Sequence, residues 1–94
     1  MLVKWLRNAL GNLESEADHI AEDNPQAAAE LVVEMFKKVN QLSDFPNLGR
    51  PGRVPGTREL VITRYPFTIP YRVKDEVVEI LRVFHTSRRW PRKF

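Results

Sequence analysis

The residues best equipped for chemistry lie in the second half of the chain. They are Arg58, Arg64, Arg72, Arg82, Arg88 and Arg89, with His85 among them. One histidine beside several arginines is a set suited to cleaving a phosphodiester without a metal. That reaction needs a base for the 2′-hydroxyl, an acid for the leaving 5′-oxygen and cations for the phosphorane charge. An imidazole serves as base or acid near neutral pH, so His85 is the candidate for either role. The alternative is a residue that caps the sheet with one hydrogen bond. Arg82 stands inside an otherwise apolar stretch, which predicts a charge partner, with Glu59 or Glu79 as candidates. Period-two alternation puts Arg72 and Thr68 on one face of their strand.

Other chemistries find little support. His19 reads as an exposed helix position among acidic neighbours. No His/Asp/Glu cluster has metal-ligand spacing, so no metal or cofactor is expected. No glycine-rich loop leads from a strand into a helix, and Ser87 has no triad partners nearby. There is no cysteine, which removes disulfides, thiolate metal sites and cysteine nucleophiles.

The ending "SRRWPRKF" is basic with interleaved aromatics. Arg88, Arg89 and Trp90 suit phosphate pairing and base stacking, or contact with an acidic protein surface. Trp90 packed on the helices is the plainer alternative. Pro91 stops ladder pairing, so the segment is expected to leave the sheet near His85. A docking surface is therefore expected here more than an active site, with Leu81 and Val83 buried and Arg88, Arg89 and Arg92 in solvent.

The elements that must position these groups follow from length and periodicity. Ninety-four residues predict one domain, 1–94, with a small core. Residues 1–45 hold four basic and eight acidic side chains, a balance of −4. Residues 46–94 hold eleven basic and four acidic, a balance of +7. The second half thus suits an anionic partner, although uneven surface charge on its own would look the same. No apolar run reaches the roughly 18 residues of a membrane span. The start MLVKWLRNAL is too short and polar for a signal peptide, so a cytoplasmic protein is expected.

Residues 2–5, LVKW, read as a short strand. Leu6, Ala9, Leu10, Leu13, Ala17, Ile20 and Ala21 recur at helical spacing. Asp23-Asn24-Pro25 ends that helix and starts another, with Asn24 as cap and Pro25 in the first turn. The second helix runs to about Leu42 on a face of Ala28, Leu31, Val32, Met35, Phe36, Val39 and Leu42. The loop 43–57 is rich in proline and glycine, and Phe45 and Leu48 are expected to pin it to the core. Trp5 and Tyr65 read as core or rim packing. The period then becomes two. Arg58–Thr63 and Phe67–Val73 are strands, Lys74-Asp75-Glu76 turns, and Val77–His85 is a third strand, apolar on both faces and so interior. Pro70 predicts an edge or a bulge in its strand. The fold class is α+β, in the order β-α-α-β-β-β. A helical hairpin packs on a small, twisted, mostly antiparallel sheet.

The joint "AEDNPQAAAELV", the loop "FPNLGRPGRVPGTREL", the strand "YPFTIPYRV" and the ending "EILRVFHTSRRWP" resemble the RelE/ParE superfamily of toxins. The resemblance covers nearly the whole chain. It implies the toxin of a type II toxin–antitoxin, or plasmid-stabilisation, module. A cognate antitoxin protein is then the expected partner, laying an acidic amphipathic segment on the toxin. The RelE-like branch cleaves messenger RNA in the ribosome, in some members with a histidine at the end of the last strand. On that branch the protein is an endoribonuclease and His85 its catalytic residue. The ParE-like branch poisons DNA gyrase without a recognised hydrolytic site. The loop and "PFTIPYRV" look more like ParE, and Thr68 stands where the ribonucleases tend to carry arginine or lysine. Arg58, Arg72, Arg82, Arg88, Arg89 and Trp90 are then expected to bind target or antitoxin. A gyrase inhibitor is the expected function. The alternatives are a ribosome-dependent messenger-RNA endonuclease, and a binding module or decayed toxin without activity.

Overall fold

The computed structural model describes residues 1–87, 90–91 and 94. The elements are β1 (Leu2–Trp5), α1 (Arg7–Ala21), α2 (Pro25–Asn40), β2 (Arg50–Pro51), β3 (Arg58–Ile62), β4 (Phe67–Lys74), β5 (Val77–Ile80) and β6 (Phe84–His85). One 3-10 turn, Gln41–Ser43, extends α2. The sheet order is β1-β5-β4-β3-β2, with β6 also on β4. All pairings are antiparallel except β1 on β5. The expected α+β order therefore holds, with β2 and β6 as short additions.

The helical hairpin forms as its punctuation predicts. Asn24 Oδ1 accepts the Ala27 N–H at 3.1 Å, and Pro25 occupies the first turn, where no N–H is needed. Ala9 and Leu13 of α1 and Ala28, Leu31, Met35 and Val39 of α2 are buried. All but Ala28 join one cluster with Leu60, Ile62, Phe67, Ile69, Tyr71, Val78 and Ile80 from one face of the sheet. Trp5 is half-buried on this core and tilts against Phe36 at 5.0 Å.

The stretch Val77–His85 is not one strand. β5 ends at Ile80, the Leu81 N–H makes a last bond to β4, the chain then leaves the ladder, and β6 resumes at Phe84. Asn12 of α1 accepts the Val83 N–H at 3.1 Å, so a helix side chain satisfies a donor that the break frees. Pro70 explains the location. β4 is central rather than an edge. Pro70 C=O accepts the Leu81 N–H at 3.0 Å, so the missing proline N–H falls on the same side. That is where β4 passes from β5 to β6, and no rung is required. Leu81 and Val83 are buried, as expected.

The loop before β3 is not pinned by Phe45 and Leu48, which are 64% and 51% exposed. Tyr71 holds it instead. The buried Tyr71 hydroxyl donates to Pro46 C=O at 2.7 Å and accepts the Gly49 N–H at 2.9 Å. A Cβ on Gly49 would lie 2.6 Å from the Tyr71 ring, so only glycine passes there. Burial pushes the Tyr71 hydroxyl pKa up.

The second face of the sheet is covered too. Phe84 stands opposite Thr68 in register and shares its face, the one turned from the helices. Trp90 packs on Phe84 at 4.9 Å, and the Phe94 ring stacks on Phe84 at 6.2 Å. Trp90 thus packs on the sheet's second face and not on the helix pair. Thr68 Oγ1 and Trp90 Nε1 are buried here without a hydrogen-bond partner among the described residues.

Candidate functional site

The residues singled out by type separate into distinct places. Arg58 and Arg72 share a shallow groove of about 270 Å³ with Gly56 and Thr57. Both are engaged. Arg58 Nη1 donates to Gly49 C=O at 2.8 Å, and Arg72 Nε donates to Glu79 at 2.7 Å. Arg72 and Glu79 are directly opposite across β4 and β5, which is why the pair forms. The Arg72 hydrogen bond holds the Glu79 carboxyl below its ordinary pKa.

Arg82 has neither expected carboxylate. Glu79 belongs to Arg72, and Glu59 is held elsewhere. The break at 81–83 turns Arg82 so that Nη1 donates to Leu81 C=O at 2.7 Å. Its guanidinium lies 5.4 Å from the centre of the Phe94 ring. Arg53 lies over Trp90 at 3.8 Å, a closer cation–π contact. Arg88, Arg89 and Arg92 lie outside the described residues.

His85 lies in a third place. It lines a cleft of about 510 Å³ with Ser15, Glu16, His19 and Ile20 of α1, and with Phe67. The two histidines, far apart in sequence, thus share one cleft. His19 is exposed there, as expected. The Ser87 backbone N–H donates to His85 Nδ1 at 3.3 Å, and Ser87 Oγ lies 2.8 Å from the same nitrogen. A backbone donor requires a lone pair on Nδ1, so in this arrangement the proton sits on Nε2. The ring edge also meets Phe67 at 5.7 Å. No group of three or more His, Cys, Asp or Glu among the described residues is placed to hold a metal ion.

The most constrained charge is Glu59, which the sequence suggested only as a partner for Arg82. It is 2% exposed, and its carboxylate gathers Arg50 and Arg53. Arg50 Nη2 reaches Oε1 at 3.0 Å, while the Arg53 backbone N–H and Nε reach Oε2 at 2.8 and 3.1 Å. Burial alone would raise the Glu59 pKa, but these bonds outweigh it and hold it below its ordinary value. The clamp fixes the start of β2 and the following turn on β3. Four charged residues, Arg50, Arg53, Arg58 and Glu59, within ten positions of a Pro/Gly loop were the available signal.

Comparison with known proteins agrees with this architecture. Residues 3–90 match the family model for the ParE toxin of the type II toxin–antitoxin system parDE. The chain is 42% identical over 89 residues to the putative toxin Y4kP of Sinorhizobium fredii, covering 95% of this chain and 92% of that one. It is 33% identical over 86 residues to the toxin RelE2 of Caulobacter vibrioides, covering 92% and 96%. Among solved structures, it superposes on a chain of the chromosomal ParDE system of P. aeruginosa with a TM-score of 0.87, 36% identity and coverage of 93% and 97%. A chain of the RelBE2 toxin–antitoxin complex of Mycobacterium tuberculosis gives 0.59 and 28%, covering 89% and 95%. No helix among the described residues is long and apolar enough to cross a membrane. With a family match across nearly its full length and the same fold, this chain belongs to the ParE toxin family of type II toxin–antitoxin systems.

Proposed function

We propose that the protein arrests growth by inhibiting DNA gyrase in the cytoplasm, and that a cognate antitoxin from a neighbouring gene silences it. The observation that carries this reading is the dispersal of the candidate ribonuclease groups among the described residues. His85 lines a cleft against α1, Arg58 and Arg72 line another groove, and Arg82 turns toward Phe94. A metal-free ribonuclease needs its base, acid and cations around a single phosphate. Thr68, at the position where a cation would favour RNA cleavage, is buried on the sheet face that carries Phe84. The Nδ1 lone pair of His85 is already engaged by Ser87. These features favour inhibition by binding over strand cleavage.

His85→Ala separates the two activities. Growth arrest and inhibition of gyrase supercoiling should persist in the variant. A ribosome-dependent endonuclease using His85 would instead lose on the order of 10²-fold or more in cleavage rate, and its toxicity with it. Transcript cleavage by the wild type that vanishes in the variant would replace gyrase as the target. Inactivity of the wild type in both assays would leave a binding module.

A further inference from the structure

α2 keeps an exposed face directly opposite its core side. Ala28, Leu31, Met35 and Val39 are buried. At 3.6 residues per turn, Val33 points the other way, and it is 67% exposed. Ala29 and Phe36 flank it on one side and Glu30 and Lys37 on the other, all of them exposed. Phe36, read from the sequence as a core-face residue, is 36% exposed at the margin of that face, its ring against Trp5. Ala29, Val33 and Phe36 follow one another at intervals of four and three residues, the repeat of a coiled-coil seam. A shallow hollow of about 480 Å³ opens beside Val33, rimmed by Glu34 and by Arg64 from the turn after β3.

Charge on this face is ordered along the helix. Glu30 lies one turn before Val33, and Lys37 one turn after it. Among the described residues neither enters an ion pair. Only Gln26 reaches Glu30, with Nε2 donating to Oε1 at 3.4 Å. Turned end for end about a two-fold axis at Val33, the face matches itself. Each flank then meets the same flank of its copy, running the other way. A rise of about 1.5 Å per residue puts Glu30 about 4.5 Å to one side of the axis and Lys37 about 6 Å to the other, so Glu30 falls beside the partner's Lys37. On the second flank Ala29 meets the partner's Phe36, small against large. Gln26 and Asn40, each seven residues from Val33, bring amides together at the two ends. A parallel pairing would instead set Glu30 against Glu30 and Lys37 against Lys37.

We propose that this face of α2 docks a second copy of the chain, as an antiparallel α2–α2 pair centred on Val33. Exposed ion pairs contribute little affinity, so Ala29, Val33 and Phe36 supply the attraction while Glu30 and Lys37 fix orientation and register. One helix pair falls short of the roughly 1,200 Å² of a stable interface, so association is expected only at about micromolar concentrations and above. The proposal is independent of the target named above.

Sedimentation equilibrium of the isolated chain at low ionic strength tests this. The wild type is expected to dimerise. Glu30→Lys and Lys37→Glu each set like charges face to face at two points, and each should weaken association about tenfold or more. Both positions are exposed and both residue types are good helix formers, so each variant should fold, which circular dichroism checks. An equal mixture of the two variants should regain wild-type association, because the mixed pair sets two cations on one chain against two anions on the other. Glu14→Lys makes the same change in net charge on the exposed side of α1 and should leave association as it was. A wild type that stays monomeric up to about 1 mM overturns the proposal. So does a dimer that both single variants leave intact, a mixture that stays monomeric, or an equal weakening by Glu14→Lys, because the second copy then docks elsewhere or through net charge alone.

Discussion

Glu59→Gln probes the most heavily loaded side chain in the protein. The substitution keeps the shape but replaces one oxygen with an NH2 group that faces donors. Oε2 now accepts both the Arg53 backbone N–H and Nε, while Oε1 accepts from both Arg50 and Arg53. Hydrogen bonds to a charged group contribute about 1.5–3 kcal/mol each, and orphaning a fully buried partner costs about 3–5 kcal/mol. The two guanidinium groups are 55% and 48% exposed, so water replaces much of what they lose. We expect a net loss of about 2 kcal/mol, or a fall of roughly 8–16 °C in Tm for a domain of this size. Thermal unfolding followed by circular dichroism measures it. Because the folded carboxyl sits below its ordinary pKa of 4.5, its contribution is complete above that value and lost as pH falls through the folded one. The two melting curves should therefore converge in acid. A Tm within about 2 °C of wild type at pH 7, or a gap that persists unchanged in acid, would refute the account of this clamp.

Two further perturbations address the loop and the hairpin. Tyr71→Phe leaves the Gly49 N–H and Pro46 C=O without their partner and should cost about 2 kcal/mol by denaturant titration. The raised Tyr71 pKa makes its contribution complete below pH 10.0, its ordinary value, and lost above it, so Tyr71→Phe should also flatten the alkaline limb of the stability profile. The β4–β5 turn places Asp75 at φ 52° and Glu76 at φ 62°, both left-handed. Replacing the pair by Asn-Gly should stabilise by about 1 kcal/mol, read as a Tm roughly 4–8 °C higher.

The helices were legible because helical spacing, Asn24 and Pro25 all act locally. The strands were legible where apolar residues alternate. Three features depended on contacts distant in sequence. Val77–His85 read as unbroken because nothing in its own composition shows that Pro70, opposite Leu81, has no N–H to give. Asn12, which satisfies the freed Val83 N–H, looks like an ordinary polar residue in a helix. Phe45 and Leu48 read as anchors because they are apolar, yet the buried Tyr71 hydroxyl already holds the loop. The family resemblance indicated the function. The site residues did not assemble from their types, since matching charges in sequence does not say which carboxylate each arginine reaches. Arg72 found Glu79 across a hairpin, whereas Arg82 found a carbonyl and a ring.

A strand that changes partner at a proline divides its sheet into two parts that can vary separately. On one side, β4 and β5 pair over four residues, and the core closes at Val83. On the other, β6 adds two pairs, with Phe84 as the platform for Trp90 and Phe94. A change of length or composition after Val83 does not shift the register of the strands that enclose the core. Selection can thus rewrite the ending while packing constraints act on a different stretch of chain. The missing N–H of Pro70 thus keeps change in the tail from disturbing the fold that carries it.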